Sequence, residues 1–275
     1  CAQRVTPTVM TRAIEFVDIE CQKRRFRLEY QWIDAINPEA HLMVFLHEGL
    51  GSISMWRDFP QRLCEATGCR GLVYSRPGYG QSTPRQTDEH WGPDFMHLQA
   101  RDVLPALLSA LNIDAAKDKP WLFGHSDGGS IALLYASMFP DRIAGAMVLA
   151  PHIFVEDISV SSISAVRESY LSTDLRQKLA RFHQDPDSAF WGWNDVWLSA
   201  AFRTWNIEQE VGRIHCPMLA IQGLDDEYGS LAQIRGIQSA AAQTQLLEIA
   251  HCGHSPHKDQ PVAVIEAVGR FMGNI

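Results

Sequence analysis

Apolar and polar positions alternate in two segments near the N-terminus, at residues 13–19 and 25–33. In the second segment the apolar side chains are Phe26, Leu28, Tyr30 and Trp32. A period of two predicts β-strands with one face covered and the other in water. Such strands are typical of the antiparallel edge of a sheet.

Six further runs, all mainly apolar, predict strands; the continuous runs at 42–46 and 144–150 predict buried strands, the first of them covered on both faces. They lie at residues 42–46, 71–74, 120–123, 144–150, 218–221 and 245–249. Segments with helical spacing separate the runs, at residues 56–66, 96–111, 127–139, 231–241 and 261–272. Pro105 lies inside the second helical segment and predicts a kink there. Residues 81–94, which are polar and contain Pro and Gly, predict a long loop. The alternation as a whole predicts an α/β fold with a mostly parallel, eight-stranded sheet and helices on both faces.

The alternation of strands and helices stops between residues 153 and 214, where helical segments follow one another without a strand. This stretch contains the aromatic residues Phe190, Trp191, Trp193, Trp197, Phe202 and Trp205. We expect residues 13–152 and 215–275 to form the core and residues 153–214 to form a helical lid. The lid would cover the carboxyl ends of the strands, where ligands of such sheets bind. The alternative is a helical extension that packs elsewhere on the core.

The composition and charge of the chain disfavour some classes of binding partner. The chain has 275 residues, is 46% hydrophobic and carries a formal net charge of −8, which is ordinary for one large α/β domain and disfavours nucleic acid. No apolar run approaches the roughly 20 residues that span a membrane. The first twenty residues are interrupted by charges, so we expect neither a signal peptide nor membrane insertion, and a cytoplasmic location. A small-molecule substrate is the expected partner, and the sequence leaves homo-oligomer formation open.

The six cysteines occur at irregular spacings and include no C-x-x-C motif, so we expect most of them to be buried free thiols. They are Cys1, Cys21, Cys64, Cys69, Cys216 and Cys252. Met10 is a candidate natural start, and the sequence does not decide whether Cys1 to Val9 are native.

A nucleophile motif directly follows the apolar run at residues 120–123. Gly124-His125-Ser126-Asp127-Gly128 has the G-x-S-x-G spacing, and it stands between a strand and a helical pattern. At such a sharp turn the Ser adopts a strained backbone conformation, and its neighbours two positions away must be very small. The helix N-terminus then points at the hydroxyl and can stabilise a developing oxyanion. The alternative is a turn residue without chemistry.

Two later loops, at carboxyl ends of predicted strands, supply candidates for the other groups that a serine nucleophile needs. A Ser hydroxyl requires a base to take its proton, and a His base requires a carboxylate to orient it. Residues 225–227 are Asp-Asp-Glu, and residues 251–254 are His-Cys-Gly-His. The chain order Ser, acid, His is that of α/β-hydrolases.

With these three loops, the sequence resembles the α/β-hydrolase family over nearly its whole length. It is most similar in style to lidded esterases, meta-cleavage-product hydrolases and valacyclovir-hydrolase-like members. The family's acid stands in a G-x-x-D pattern after strand seven, so Gly223 to Asp226 implies Asp226 as the acid. The family's Gly-His pair before the last helix matches Gly253-His254, which implies His254 as the base. The resemblance therefore implies a Ser126–His254–Asp226 catalytic triad.

The family's H-G-x loop corresponds to His47-Glu48-Gly49, and this implies an oxyanion hole formed by the backbone N–H groups of Gly49 and Asp127. Glu48 departs from the family's usual Gly, and its carboxylate is expected either to point away from the site or to favour cationic or hydrogen-bond-donating substrates. Ser75 replaces the usual Asp of the D-x-x-G-x-G-x-S turn, and we expect that change to be structural.

Several alternatives remain open. Asp225 is the main rival to Asp226, and Glu156 and Asp157 follow the preceding strand, where some relatives place the acid. His251, Cys252, His254 and His257 resemble metal ligands superficially, but their spacing matches no common zinc pattern, so we expect neither a metal nor a cofactor. We expect the residues that line the substrate pocket to be Glu48, Leu50, Trp191, Trp193 and Trp197.

These observations predict a serine hydrolase that cleaves a small or medium carboxylic ester, lactone or thioester through an acyl-enzyme on Ser126. One alternative is hydrolysis of a C–C bond in a vinylogous diketone by the same triad. A perhydrolase or acyltransferase activity is also compatible with this scaffold. An alternative of another class is a non-catalytic small-molecule receptor.

Overall fold

One eight-stranded sheet forms the centre of the molecule in the computed structural model, which describes residues 10–37 and 39–273. The strand order is β1-β2-β4-β3-β5-β6-β7-β8. The bounds are Glu15–Cys21 (β1), Arg24–Ile33 (β2), Leu42–Leu46 (β3), Arg70–Tyr74 (β4), Trp121–His125 (β5), Gly145–Leu149 (β6), Met218–Gly223 (β7) and Thr244–Ile249 (β8). Only the β1–β2 and β2–β4 pairs are antiparallel, and β4, β3, β5, β6, β7 and β8 run parallel. The predicted sheet, with its antiparallel edge, is confirmed.

Helices connect the parallel strands. Their bounds are Phe59–Thr67 (α1), Phe95–Leu98 (α2), Leu104–Ala110 (α3), Ala115–Asp118 (α4), Asp127–Met138 (α5), Asp157–Ser172 (α6), Leu175–Leu179 (α7), Pro186–Leu198 (α8), Glu208–Val211 (α9), Ala232–Ala240 (α10), Pro256–Asp259 (α11) and Pro261–Gly273 (α12). The segment predicted as one helix over 96–111 is divided by a π-helical turn at Gln99–Val103. The turn ends where Pro105, which lacks an N–H, enters α3, so the expected disturbance lies on the N-terminal side of the proline. Residues 81–94 contain neither helix nor strand, as the composition predicts.

The parallel strands have hydrophobic side chains on both faces, and these form two separate cores. In β3 the side chains of Leu42, Val44 and Leu46 belong to the larger core, whereas Met43 and Phe45 belong to the smaller one. The larger core includes inward residues of α3, α5, α8 and α10, and the smaller one includes those of α1 and α12. Successive strand residues point to opposite faces, so an apolar run without alternation indicates a strand covered on both sides.

The segment between β6 and β7 contains α6 to α9, and no β-strand is assigned there in this fully described stretch. Its nearest approach to a strand is a single bridge between Phe154 and Asn206. Helices α6 and α8 pack against each other, and the Asn194 side chain of α8 donates to the Ile163 carbonyl of α6 at 3.2 Å. The stretch forms a helical layer that joins the larger core through Trp193, Trp197 and Phe202.

Among the cysteines, Cys64, Cys69 and Cys252 are buried free thiols, and Cys21 and Cys216 are half-buried free thiols. Cys1 lies outside the described residues, as does the rest of the segment up to Val9. Within the described ranges, no helix combines the length and hydropathy that crossing a bilayer requires.

Candidate active site

The turn between β5 and α5 has the strain that its sequence predicts. Ser126 has φ 53° and ψ −120°, a conformation that L-residues rarely adopt. A Cβ at Gly124 would lie 2.2 Å from the Gly128 carbonyl oxygen, and a Cβ at Gly128 would lie 2.0 Å from that of Leu46. The glycines of the motif are therefore required by backbone approaches on both sides of the serine.

The structure brings Ser126, His254 and Asp226 into one hydrogen-bonded chain. Nδ1 of His254 lies 2.9 Å from Asp226 Oδ1, and Nε2 of His254 lies 2.9 Å from Ser126 Oγ. Because a carboxylate only accepts hydrogen bonds, Nδ1 carries the proton, and Nε2 is free to accept the Ser126 hydroxyl proton. This tautomer is the one in which His254 can act as a base toward Ser126.

Asp226 is held by a dense set of donors. Its Oδ1 also accepts from the Tyr228 N–H at 2.8 Å, and its Oδ2 accepts from the Gln222 amide at 3.1 Å. Burial raises the pKa of Asp226, but the His254 hydrogen bond and charge and the Tyr228 N–H outweigh it, so that the pKa is lowered overall. Asp226 is therefore an ionised carboxylate in the neutral pH range.

The rival acids lie elsewhere. Asp225 is exposed. Glu156 accepts hydrogen bonds from Ser230 and Gln233, and Asp157 forms an ion pair with Arg203. Of these carboxylates, the structure brings only Asp226 to His254.

The side chains of residues 251–257 that resemble metal ligands in the sequence lie apart in the structure. His251 is exposed, whereas His257 is buried with its ring 4.8 Å from Trp56 and 4.7 Å from His125. Within the described ranges, no group of three or more His, Cys, Asp and Glu side chains is arranged to hold a metal ion.

The loop after β3 forms the opposite wall of the site. Gly49 lines the same cavity as Ser126 and Asp127. A Cβ at Gly49 would lie 2.2 Å from Trp193 Nε1, so the indole rests directly on this backbone. Asp127 is the first residue of α5, and its N–H therefore has no carbonyl one turn earlier in the helix. Both backbone segments that the family resemblance assigns to the oxyanion hole border the serine.

The Glu48 carboxylate is directed at two basic groups. Its Oε2 lies 3.5 Å from Nδ1 of His125, and its Oε1 lies 3.4 Å from Nζ of Lys258. Burial raises the pKa of Glu48, but the contact with His125 and the Lys258 charge outweigh it and hold the pKa well below its usual range. Glu48 lines the cavity, but its Oε1 lies beside the Lys258 ammonium and its Oε2 faces the His125 ring.

A cavity of about 260 Å³ opens above the Ser126 hydroxyl. Its lining residues are Glu48, Gly49, Leu50, His125, Ser126, Asp127, His152, Ile163, Trp193, Trp197, Glu227, Tyr228, His254 and Ser255. None of these is Lys or Arg, and three of them are carboxylic acids.

Of the five residues expected to line the pocket, the structure does not bring Trp191 to this cavity. Trp193 and Trp197 are one helical turn apart on α8 and face the cavity together. Trp191 lies two residues before Trp193 and points to another side of the helix, where its ring packs against Tyr170 and Phe190.

Several side chains line the cavity although the sequence does not predict them as substrate contacts, and two of these, His152 and Asp127, have strongly shifted pKa values. His152 follows β6, its ring lies 4.9 Å from Trp197, and burial with the neighbouring His254 charge lowers its pKa to about 3. Asp127 Oδ1 accepts from Trp197 Nε1 at 3.1 Å, while Oδ2 is buried without a partner among the described residues. Burial raises the pKa of Asp127 to about 6. The position of His152 at the carboxyl end of a parallel strand was the available signal.

The substitution at Ser75 is compensated by a neighbouring strand. The Ser75 hydroxyl hydrogen-bonds to the Glu29 carboxyl group of β2, and Glu29 is buried. A Cβ at Gly80 would lie 1.9 Å from Glu29 Oε1, so the turn folds closely around this carboxyl group. Glu29 thus brings to this turn the carboxyl group that the family's Asp normally provides.

Known proteins with similar sequences place the chain in a family. The sequence profile of the alpha/beta hydrolase family matches residues 43–267. A curated relative from Klebsiella pneumoniae subsp. pneumoniae, 2-succinyl-6-hydroxy-2,4-cyclohexadiene-1-carboxylate synthase, is 26% identical and aligns over 88% of this chain and 98% of its own. The chain therefore belongs to the alpha/beta hydrolase family.

Solved structures share the fold at lower identity. A thermophilic esterase from Thermogutta terrifontis superimposes with a TM-score of 0.69 at 17% identity, over 96% of this chain and 99% of that chain. The enol-lactonase from Burkholderia xenovorans LB400 gives a TM-score of 0.68 at 19% identity, over 90% of this chain and 97% of that chain. These likenesses define the α/β-hydrolase fold, which carries more than one chemistry.

Proposed function

We propose that the protein is a serine hydrolase that cleaves small or medium carboxylic esters through an acyl-enzyme on Ser126. The observation that carries the proposal is the hydrogen-bonded chain from Ser126 through His254 to Asp226, beside a cavity of about 260 Å³. Lactones and thioesters react by the same acyl transfer and belong to the proposed substrate class.

In the proposed mechanism, Ser126 Oγ attacks the ester carbonyl carbon while His254 Nε2 takes the hydroxyl proton. The carbonyl electrons move to oxygen, and the Gly49 and Asp127 N–H groups stabilise this oxyanion. Collapse of the intermediate breaks the bond to the alcohol oxygen, which receives the proton from His254. Water then attacks the acyl-enzyme, gives a proton to His254 and releases the acid, and Ser126 recovers its proton.

The helical segment between β6 and β7 is part of this proposal. We assign residues 153–214 as a lid and residues 13–152 and 215–275 as the core. Ile163, Trp193 and Trp197 of this segment line the same cavity as Ser126, which supports the assignment. The indoles would provide an apolar surface for the acyl or alcohol group.

A second candidate is the synthase activity for which the Klebsiella relative is named. That name describes a product with a ring carboxylate and a succinyl group. The cavity lining argues against such an anionic compound, because it contains Glu48, Asp127 and Glu227 and no Lys or Arg among the described residues. The same charges favour uncharged or cationic esters. C–C hydrolysis of a vinylogous diketone remains a further alternative because it needs only the same triad.

The test compares wild type with Ser126→Ala. Intact-mass spectrometry after treatment with a fluorophosphonate should detect one adduct on wild type, mapped to Ser126, and none on the variant. Turnover is then measured on p-nitrophenyl butyrate, on its anionic hemisuccinate and cationic 4-aminobutyrate analogues, and on a vinylogous diketone. We expect the uncharged or cationic ester to be the best substrate, and Ser126→Ala to abolish turnover with an unchanged Tm.

Three outcomes contradict the proposal. Esterase activity that persists in Ser126→Ala would remove the mechanism. A diketone turned over far faster than every ester would favour C–C hydrolysis. Absence of both adduct and turnover on folded protein, with tight binding of a ligand that is unaffected by Ser126→Ala, would favour a receptor.

A further inference from the structure

The Arg76 side chain is fully buried, yet it lacks the partner that a buried guanidinium normally has. Its exposed fraction is 0%, and among the described side chains no carboxylate lies within the 4 Å of an ion pair, although the charge of Arg76 acts on the buried Asp127 and lowers the pKa of that carboxyl group. Nε and Nη1 are without hydrogen-bond partners in the described structure, and the group lies 4.6 Å from the Tyr79 ring centroid. Burying a charge in this way costs free energy of folding. Stability therefore does not explain why an arginine occupies this position.

The one close hydrogen bond of the guanidinium goes to the loop after β3. Nη2 of Arg76 donates to the Glu48 carbonyl oxygen at 2.9 Å and, more weakly, to that of His47 at 3.4 Å. The Glu48 carbonyl and the Gly49 N–H belong to the same peptide unit. The charge of Arg76 is thus bonded to the other end of the peptide whose N–H is a proposed oxyanion-hole donor.

A second donor reaches the same carbonyl. The Arg76 backbone N–H donates to Nε2 of His47 at 3.0 Å, so Nε2 is the unprotonated nitrogen and Nδ1 carries the proton. Nδ1 donates to the Glu48 carbonyl at 2.7 Å. Burial and the charge of Arg76 hold the pKa of His47 well below its usual range, which keeps this ring in its neutral, donating form.

Hydrogen bonds accepted by a carbonyl polarise its peptide and strengthen the N–H at the other end as a donor. Bonds from a charged donor are about twice as strong as neutral ones, and the low dielectric of the interior increases the effect. The Gly51 N–H also donates to this carbonyl, at 3.0 Å. Three donors, of which only Arg76 is charged, therefore fix the orientation of the peptide plane. Both effects act on the Gly49 N–H.

We propose that Arg76 is a positioning residue for the reaction: it holds and polarises the Glu48–Gly49 peptide so that the Gly49 N–H stabilises the oxyanion. The inference rests on the proposed function, because it assigns Gly49 the oxyanion-hole role described there. Arg76 is not among the residues that line the cavity, so we expect it to act through Gly49 and on states in which the carbonyl oxygen has become negative.

The experiment compares wild type, Arg76→Met, Arg76→Lys and the control Arg85→Met. Arg85 is a half-buried arginine whose Nη1 donates to the Gln86 carbonyl, and it does not line the cavity above Ser126. For each protein we would measure kcat and KM on p-nitrophenyl butyrate. We would also measure inhibition by an aryl trifluoromethyl ketone, which adds to the serine and forms an oxyanion, and by the matching alcohol, which does not.

Arg76→Met should lower kcat and the affinity for the ketone by the same factor, about 10-fold, since removing a whole oxyanion-hole donor costs about 100–1,000-fold. KM and the affinity for the alcohol should stay within about twofold. The variant loses a buried charge together with its hydrogen bond to Glu48 and its attraction to Asp127, so Tm is measured for each protein to establish that it is folded. Arg76→Lys should recover part of the loss, because an ammonium can donate to the same carbonyl. Arg85→Met should behave as wild type.

Unchanged ketone affinity in folded Arg76→Met would overturn the inference, and so would equal losses for ketone and alcohol. If Arg76→Met does not fold, His47→Phe is used instead, because it removes another donor to the same carbonyl. This variant must lose affinity for the ketone but not for the alcohol, by a smaller factor, or the inference is wrong. Failure of the fluorophosphonate to label wild-type Ser126 would instead remove the proposed function, and this inference with it. If the fluorophosphonate labels wild-type Ser126 but Arg76→Met keeps its affinity for the ketone, only this inference is wrong.

Discussion

His125 and His254 are joined by a hydrogen bond from the ring of one to the backbone of the other, with Nε2 of His125 2.7 Å from the His254 carbonyl oxygen. His125 immediately precedes Ser126, so the residue before the proposed nucleophile holds the loop of the proposed base. A carbonyl only accepts, and Nε2 therefore carries a proton. This contact connects β5 to the loop after β8, across β6 and β7 in the sheet.

The first prediction concerns this contact. His125→Phe keeps a ring but removes the donor, and it should lower kcat about 10-fold, because a lost hydrogen bond of about 1 kcal/mol allows the His254 loop to shift. His125→Gln, which retains an amide donor, should lose less. Steady-state kinetics on p-nitrophenyl butyrate provide the measurement, and exposed His215→Phe is the control. Equal activity of the Phe and Gln variants would show that the donor does not matter.

The second prediction separates the neighbouring acids. Asp226→Asn should reduce kcat by about 10⁴-fold, because the amide no longer selects the His254 tautomer with a proton on Nδ1. Asp225→Asn changes an exposed side chain and should keep kcat within about twofold. The rate of fluorophosphonate labelling should follow kcat in both variants. The reverse pattern would assign the acid to Asp225.

The third prediction is a pH dependence of stability. Burial raises the pKa of Asp127 in the folded protein to about 6 from 3.8. A raised folded-state pKa means that the folded state binds the proton more tightly, so this contribution is complete below about pH 4 and is lost as pH rises to about 6. The loss amounts to about 3 kcal/mol, since one pKa unit corresponds to about 1.4 kcal/mol.

Asp127→Asn does not ionise, and its Oδ1 can still accept from Trp197 Nε1. The variant's Tm minus the wild-type Tm should therefore be larger at pH 8 than at pH 4, by about 6 °C. Thermal unfolding at the two pH values gives the result, with Asp225→Asn as a control that shows no such change. A Tm difference independent of pH would mean that Asp127 ionises normally in the folded protein.

The fourth prediction tests the contact between the proposed lid and the oxyanion-hole loop. Gly49→Ala places a methyl group 2.2 Å from the position of Trp193 Nε1, so either the indole or the backbone must move. A displacement of about 1 Å can cost about 100-fold, and we expect kcat/KM to fall by that order. Trp193→Ala removes the obstacle and should restore activity in part in the double variant.

Gly269→Ala serves as the control for that experiment, because a Cβ there contacts nothing within 4 Å. If Trp193→Ala worsens Gly49→Ala instead of rescuing it, the indole does not rest on Gly49 in solution. Additivity of the two changes would give the same conclusion, since residues in contact are expected to couple.

The sequence by itself determined the strands, the nucleophile turn and the order of the functional loops. The alternating pattern of β1 and β2 distinguishes these half-covered strands from the central parallel strands β3, β5, β6 and β7, which are buried throughout, because side-chain direction repeats every two residues along a strand. The strain at Ser126 and the glycines around it follow from local sterics. A parallel sheet brings the carboxyl ends of its strands to one edge, so the loops that carry Ser126 and His254 were expected to meet.

Only the tertiary structure decided which side chains face each other across the site. It directs Asp226 rather than Asp225 at His254, the Glu48 carboxylate at His125 and Lys258, and Arg76 at the Glu48 carbonyl. Each of these contacts joins residues that are at least 28 positions apart in the chain. Local propensity and periodicity act over a few residues, whereas such contacts depend on the relative placement of whole elements, which packing of the two cores determines.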